Sequence, residues 1–396
     1  MVEQHGKTLV PQIRFAGFTD PWEQRKLGEF GSVAMCKRIY KEQTSEQGDV
    51  PFFKIGTFGA NPDAFISNEL FEDFKCIYPY PTPGTLLISA AGSIGRVVEY
   101  QGEKAYFQDS NIVWLEHDHR LNDAFLKPLY SRIEWGLEGS TIKRLYNKDL
   151  LSAEVTVPGS REQKGIGQFF AKLDNLITLH QRKYDKLCVL KKSMLDKMFP
   201  KGGSLYPEIR FAGFTDPWEQ RKLGELFEEH SEKDRDDLPA LTIIQGGGTV
   251  HRDESKRNLQ FDRSSLSNYK VVDTGDFIVH LRSFEGGLEK ATCYGLVSPA
   301  YHIFRGKNVD SDFYYLYFRS KRFIDVDLKP HVYGIRDGRS IDIEGMKTIF
   351  IPWTNLAEQR QIGAFFDRLN SLITLHQRKL ELLRNIKKSM LDKMFV

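Results

Sequence analysis

The sequence predicts an α+β protein in which two globular α+β domains are separated by two long antiparallel coiled-coil helices, in a pseudo-twofold arrangement. Two internal repeats and a helical periodicity predict this fold. The seventeen residues Ile13 to Glu29 recur unchanged as Ile209 to Glu225, 196 positions later. A longer segment, Glu162 to Phe199, recurs at the same offset as Glu358 to Phe395. A period of half the chain indicates a duplication and excludes a solenoid of short repeats.

The segments between the repeats differ from each other, and each has the size of a small domain, with 132 residues. The predicted organisation is, in order, an N-terminal repeat with a short helix (1–29), a first variable domain (30–161), a long central helix (162–199), a linker with the second short repeat (200–225), a second variable domain (226–357) and a long C-terminal helix (358–396).

The short repeat carries the residues that commonly start a helix. Asp20 is a capping residue, Pro21 suits the first helical position, and Glu23 stands three residues beyond the cap, as in a capping box. We therefore expect a short helix here and in the second copy. Trp22 and Trp218 would then lie on its surface or in a docking seam; the alternative is that each tryptophan packs inside its own domain.

The long repeat has apolar residues at alternating spacings of four and three, from Ile166 to Met198 and from Ile362 to Met394. This is the seam of a coiled coil. A helix of this length spans roughly 55 Å, and two such helices bury their apolar seams most simply against each other, antiparallel. Four polar residues interrupt the seam, and we interpret them as setting its register or lying at its solvated edge: His180, His376, Lys191 and Lys387.

Composition places the chain among ordinary globular proteins, with 40% hydrophobic and 28% charged residues and a net charge of +3. The four cysteines form no CxxC pair, which argues against a disulfide framework and a structural zinc site. Neither a signal peptide nor an apolar stretch of membrane-spanning length is recognisable. We expect a cytoplasmic protein without a membrane partner.

The two variable domains share a pattern of strands and turns. Pro83 to Tyr100 and Thr274 to Gly295 each read as a glycine-led turn, an apolar strand, a Ser/Gly-rich hairpin and a second strand. Basic, hydroxyl and amide side chains in the loops are the types that read base edges and bind phosphate, although any one of them is more simply a solvated surface residue. The candidates are Lys54, Thr57, Ser89, Ser93, Arg96, Lys143, Arg144 and Asn147 in the first domain, and Gln245, Thr249, Arg252, His280, Arg282, Ser283, Arg336 and Arg339 in the second.

Motifs for catalysis are weak or missing. Pro62, Asp63, Asp73 and Lys75 resemble a metal-dependent nuclease motif, but the second copy has no counterpart and the segment also reads as an amphipathic helix. The chain has no Walker-type GxxxxGK[ST] and no asparagine or aspartate followed by Pro-Pro and an aromatic residue, the tetrapeptide of amino-methylating DNA methyltransferases. We therefore expect no catalytic residues in this chain.

With two "FTDPWEQRKLGE" blocks, two "LITLHQRK" helices and two unlike domains in alternation, the whole chain resembles the specificity subunit of type I restriction-modification enzymes. "GDVPFFKIGTFG" (48–59) and "GTLLISAAGSIGR" (84–96) look like a first target-recognition domain of that family, whereas the second domain departs from these strings.

The resemblance implies that each variable domain reads one half of a split, asymmetric site in double-stranded DNA, and that the helices fix the spacer between the halves. It also implies that the repeats dock two modification (methyltransferase) subunits. We assign this docking to Trp22, Trp218, Phe169, Phe365, His180 and His376.

No cofactor is expected in this chain itself. S-adenosylmethionine, ATP and Mg²⁺ would belong to the partner subunits, which include restriction (motor-nuclease) subunits. The alternative function is a coiled-coil scaffold that joins two protein-binding domains and does not bind nucleic acid.

Overall fold

The chain forms two compact units in the computed structural model, which describes residues 9–135, 144–254, 263–280, 283–334 and 340–396. Unit 1 contains residues 1–181 and 378–396, and unit 2 contains residues 182–377. Both unit boundaries fall inside the long helices. Each unit therefore combines one short repeat, one variable domain, the first half of one long helix and the second half of the other.

Unit 1 is α+β, as predicted. Its strands are Glu23–Lys26, Gly31–Ala34, Val50–Phe53, Phe65–Ile66, Leu86–Ser89, Val97–Glu99, Tyr106–Phe107, Ile112–His117 and Glu154–Val157, and its shorter α-helices are Asn68–Ile77, Asp123–Tyr130 and Asn147–Ser152. The helix Asn68–Ile77 begins where the side chain of Ser67 accepts a hydrogen bond from the amide of Leu70, at 3.2 Å.

Unit 2 has the same class of fold. Its strands are Glu219–Lys222, Phe227–His230, Leu241–Ile244, Gly248–His251, Lys270–Val272, Phe277–Val279, Glu289–Lys290, Gly295–Val297, His302–Gly306, Val332–Tyr333, Ser340–Ile341 and Phe350–Trp353, and its shorter α-helices are Leu223–Leu226, Ser283–Gly286, Ser311–Phe318 and Ile343–Lys347. A π-helical turn, Phe323–Leu328, follows the helix Ser311–Phe318.

The central sheets of the two units have the same strand order. In unit 1 the order is Gly31–Ala34, Ile112–His117, Leu86–Ser89 and Val97–Glu99; in unit 2 it is Phe227–His230, His302–Gly306, Phe277–Val279 and Glu289–Lys290. All neighbours in both sheets are antiparallel. The predicted hairpins are confirmed, because Leu86 pairs with Glu99 and Phe277 pairs with Lys290.

The long helices run from Ser160 to Lys197 and from Leu356 to Met394, within two residues of the predicted bounds. Within unit 1 they are antiparallel, since Asp174 bonds to Lys387 and, further along the first helix, Gln181 bonds to Arg384, nearer the start of the second. The Lys387 Nζ to Asp174 Oδ1 distance is 2.5 Å. Lys387 thus lies at the edge of the seam, as the sequence indicated.

The short repeats do not begin with the predicted helix. Residues Glu23–Lys26 form a strand that pairs antiparallel with Glu154–Val157, and Glu219–Lys222 pairs likewise with Phe350–Trp353. A helical turn follows each of these strands, a 3-10 turn at Leu27–Glu29 and an α-helical turn at Leu223–Leu226. The capping residues are local signals, whereas the strand takes its backbone partners from a segment about 130 residues away.

Identical contacts join each repeat to a long helix. Arg14 forms a two-pronged ion pair with Glu162, with N–O distances of 2.7 Å, and Arg210 forms the same pair with Glu358 at 2.6 and 2.8 Å. The two carboxylates are buried, and the carboxylate of Glu162 raises the pKa of Arg14. Removing one partner of such a pair leaves a buried charge and costs about 3–5 kcal/mol.

Candidate nucleic-acid interface

Two loops of unit 1 that carry candidate residues lie side by side. One is the loop 54–59 and the other is the turn 90–96, which follows the strand Leu86–Ser89. Arg96 Nη2 donates a hydrogen bond to the carbonyl of Gly59 at 3.1 Å. Ser93 and Arg96 are exposed, so this pair of loops, called loop cluster 1 below, presents a hydroxyl and a guanidinium to solvent.

Ser89 supports loop cluster 1 from inside and does not lie on its surface. It is 1% exposed, donates to the carbonyl of Ser93, and accepts a hydrogen bond from the amide of Arg96 at 3.0 Å. Its hydroxyl therefore shapes the turn. Ser89 is thus buried at a position where the sequence predicted a surface residue.

Lys54 and Thr57 form the other half of loop cluster 1. The Thr57 hydroxyl accepts a hydrogen bond from the amide of Lys54 at 3.1 Å, which closes a turn. The ammonium group of Lys54 lies 2.9 Å from Asp63, an exposed ion pair. The described residues contain no group of His, Cys, Asp and Glu side chains placed to hold a metal ion.

Arg144 and Asn147 approach the same turn from a third segment. The amide of Leu145 donates to the carbonyl of Ala90 at 2.9 Å, and Arg144 Nη2 donates to the carbonyl of Ser110 at 3.0 Å. Asn147 is exposed at the first position of the helix Asn147–Ser152. Residues 144–147 therefore extend loop cluster 1; Lys143 lies outside the described residues.

The corresponding region of unit 2, called loop cluster 2 below, consists of the hairpin 241–251 and the short helical turn Ser283–Gly286. Strands Leu241–Ile244 and Gly248–His251 form the hairpin, and Gln245 is exposed at its tip. Gly286 belongs to the turn, and a Cβ at that position would overlap the side-chain amide of Gln245. The side chain of Gln245 therefore packs closely on the backbone of Gly286.

Two candidates in loop cluster 2 are buried. Thr249 is 3% exposed and exchanges hydrogen bonds of 3.0 Å with Thr292, while the Ser283 hydroxyl accepts from the amide of His280 at 2.9 Å. Both hydroxyls hold the loops in place. Thr249 and Ser283 are likewise buried at positions where the sequence predicted surface residues.

Arg252 and His280 are half-buried beside Tyr301. Arg252 Nη2 lies 3.5 Å from the carbonyl of Leu241, and the His280 ring is 6.2 Å from the ring of Tyr301. Burial raises the pKa of Tyr301, which the nearby Arg252 cation partly opposes. Tyr301 is therefore a neutral phenol at physiological pH. The remaining candidates, Arg282, Arg336 and Arg339, lie outside the described residues.

The tryptophans assigned to partner docking lie in the cores. Trp22 and Trp218 are each 1% exposed. The Trp22 ring packs 6.2 Å from Phe395, and the Trp218 ring packs 5.8 Å from Phe199. The alternative that each tryptophan packs within its own unit is therefore correct, because the predicted surface helix is absent.

Phe169, Phe365, His180 and His376 are only half-buried and stay candidates for docking. Phe169 contacts Phe15 with ring centroids 5.9 Å apart, and its counterpart Phe365 contacts Phe211 at 5.8 Å.

The sequence reasoning missed an apolar stripe beside the seam. Leu176 and Leu179 are 43% and 47% exposed, and their counterparts Leu372 and Leu375 are each 46% exposed. Each leucine precedes a seam position by one residue, as Phe169 precedes Phe170. The signal was present in the sequence: apolar residues one position before the seam are identical in both copies. We call Phe169, Leu176 and Leu179, with their counterparts, the flanking stripes.

The chain thus consists of two units with similar sheets and different surface loops. A family model described as the type I restriction modification DNA specificity domain matches residues 19–188. A protein of Haemophilus influenzae named as a type I restriction enzyme specificity subunit is 50% identical over 153 residues, which covers 38% of this chain and 40% of that protein.

A specificity subunit of Methanocaldococcus jannaschii is 22% identical over 81% of this chain and 77% of its own length. The fold matches a crystal structure of the type I restriction-modification S subunit from M. genitalium, with a TM-score of 0.60, 15% identity, and coverage of 98% of this chain and 99% of that one. Residues 19–188 thus resemble the specificity domain of type I restriction-modification enzymes, and the whole chain shares the fold of the S subunit from M. genitalium. Among the described residues, no helix is long and apolar enough to cross a membrane.

Proposed function

We propose that this chain is the DNA-reading subunit of a type I restriction-modification complex, with each unit reading one half of a bipartite, asymmetric site. The observation that carries the proposal is the pair of loop clusters. They occupy equivalent ends of equivalent sheets, yet they present different side chains: Ser93, Arg96 and Asn147 in unit 1, and Gln245 in unit 2. Guanidinium, amide and hydroxyl groups are the types that distinguish base edges in the major groove.

The long helices support a fixed spacer between the two half-sites. A continuous helix of 38 residues is about 57 Å long, the length of about 17 base pairs of duplex. We expect the paired helices, and not a flexible linker, to set the distance between the half-sites. A rod of this length suits two half-sites separated by roughly one turn of DNA.

The flanking stripes support docking of two identical modification subunits. Exposed leucines at matching positions in both copies present the same apolar surface twice. An apolar patch on a helix that is otherwise polar is typical of a protein interface. The partners would supply S-adenosylmethionine and methylate adenine, restriction subunits would supply ATP-driven cleavage, and this chain would contribute recognition only.

Exchange of segment 30–161 for that of another specificity subunit tests the reading of DNA. We expect the methylated sequence, read by single-molecule sequencing of methylated adenines in cells, to change in one half-site while the other half and the spacer stay the same. Binding of duplex by the purified complex should weaken steeply between about 50 and 200 mM salt, because phosphate contacts release counterions. A flat salt response would favour the scaffold that does not bind nucleic acid.

Docking is tested by the number of modification subunits bound, measured by native mass spectrometry. We expect two copies on the unaltered chain, one on Leu176→Glu, and none when Leu372→Glu is added. Val189→Glu is the matched control, because Val189 is 69% exposed on the same helix but its counterpart in the second copy is Asn385. Loss of both copies in the control, or of neither in the double variant, would contradict docking at the flanking stripes.

A further inference from the structure

A buried carboxylate holds the tip of the unit 2 hairpin. Glu289 is 0% exposed on a two-residue strand, opposite Ile278 in the central sheet. Its Oε1 accepts a hydrogen bond from the amide of Gly246 at 2.6 Å and pairs with the guanidinium of Arg319. Its Oε2 accepts from the hydroxyl of Tyr315 at 3.0 Å.

Burying the carboxylate of Glu289 costs free energy that an apolar side chain filling the same space would not cost. A buried ion pair is seldom more stabilising than apolar residues of the same size, and the carboxylate needs several donors to compensate for lost water. One of the donors here is the backbone of the hairpin tip itself. Gly246 has a φ of +78°, and a Cβ there would come within 3.0 Å of Arg319 Nη2. The same carboxylate oxygen of Glu289 therefore links the backbone of the tip to the guanidinium of Arg319.

The return arm of the hairpin is attached separately. The amide of Thr249 donates to the hydroxyl of Thr292, and the amide of Thr292 donates to the hydroxyl of Thr249, each at 3.0 Å. Loss of the Glu289 contact would consequently leave the hairpin in place but free its tip, where Gln245 is exposed.

We propose that Glu289 is a positioning residue for sequence recognition: it fixes the hairpin tip so that the amide of Gln245 meets one base edge in a defined place. This inference rests on the proposed function. A side-chain amide offers one donor and one acceptor, which complements the N6 and N7 atoms of adenine in the major groove. The class of ligand is thus an adenine in the half-site that unit 2 reads.

The test compares the methylated sequences in cells that carry the full complex with Gln245→Ala, Glu289→Gln or, as a control, Asp276→Asn. Asp276 is a matched carboxylate, 3% exposed in the same unit and paired with Arg305 at 2.8 and 2.9 Å. We expect the Gln245 and Glu289 variants to lose discrimination at the same single position of one half-site, by about tenfold, the scale of one bidentate base contact. The control should keep the sequence unchanged.

Hydrogen exchange of the full-length variants provides a second measurement that does not depend on DNA. In Glu289→Gln we expect faster exchange confined to the segment around Gly246. If exchange rises there but the bases recognised stay the same, or if methylation falls equally at every site, Glu289 acts on stability alone and the proposal is overturned. If methylation in cells does not depend on residues 226–357 at all, the proposed function fails, and the exchange result shows separately whether Glu289 orders the tip.

Discussion

Replacement of Phe395 by alanine should destabilise unit 1 much more than unit 2. Phe395 is 7% exposed, and its ring lies 5.5 Å from Phe125, 5.9 Å from Phe170 and 6.2 Å from Trp22. Truncating a buried phenylalanine costs about 3–5 kcal/mol, since transfer free energy is lost and a cavity remains. The loss of the three aromatic contacts is part of this cost, so we expect a loss of stability near the middle of the range, at about 4 kcal/mol.

The assay must resolve the two units, because one free energy of unfolding is poorly defined for a protein with two units. Hydrogen exchange followed by mass spectrometry reports the opening free energy of each segment. About 4 kcal/mol corresponds to roughly a thousandfold faster exchange in the central sheet of unit 1. The central sheet of unit 2 should change little.

Two variants control this experiment. Val396→Ala, at a site that is 48% exposed, should change exchange by less than threefold, which is about 0.5 kcal/mol. Phe199→Ala removes the counterpart ring, which lies 5.2 Å from Phe313, and should accelerate exchange in unit 2 instead. Less than tenfold acceleration in Phe395→Ala, or equal acceleration in both sheets, would refute the assignment of Phe395 to the core of unit 1.

Two further predictions follow from the contacts of the helices and of a histidine. The bond between His117 and Asp123 raises the pKa of His117 above its unfolded value. The contribution of this bond to stability is therefore present below about pH 6.5 and disappears as the pH rises through the folded pKa. Asp123→Asn should remove this pH dependence from the urea midpoints of unfolding measured between about pH 5.5 and 8. Inserting one heptad into each long helix, at levels that face each other, keeps the seam in register and adds about 10 Å, or about three base pairs. We expect methylome sequencing to show a longer spacer with the same half-site bases, and altered bases at an unaltered spacing would contradict the role of the helices.

The long helices could be predicted because their signal is periodic and extends over ten turns. Apolar residues at alternating spacings of four and three from Ile166 to Met198 fit a helix and not a strand. The observed helix begins only two residues earlier than expected. The hairpin Leu86–Ser89 to Val97–Glu99 was predictable for a similar reason, since glycines and an apolar run mark its turn and strands.

The short repeat could not be predicted from its own residues. Asp20, Pro21 and Glu23 are residues that typically begin a helix. The segment instead forms a strand that pairs with Glu154–Val157, and no local sequence pattern identifies that partner. The recognition residues posed a different problem. Serine and threonine are suited both to reading bases and to closing turns, and only the packing shows that Ser89 belongs to the second group.

The residues that are identical in the two repeats fall into two groups, those that pack inside a unit and those that are exposed. Trp22 and the Arg14–Glu162 pair are internal, and each has a counterpart with the same contact in unit 2. The amide of Ile13 bonds to the carbonyl of Lys393 at 2.9 Å, and that of Ile209 bonds to Lys197 at 3.0 Å, although the first pair is 380 positions apart and the second only twelve.

The same junction thus forms between neighbouring segments and between distant ones, so the repeats themselves encode it. Each unit needs the same residues at these positions to form the same contact between the short repeat and a long helix. Their identity in the two copies therefore requires no partner protein as an explanation. The exposed leucines of the flanking stripes are different, because they are repeated without contributing to a core. Two identical partners would require the same exposed apolar surface twice, and it is therefore at these leucines, rather than at the tryptophans, that we propose docking.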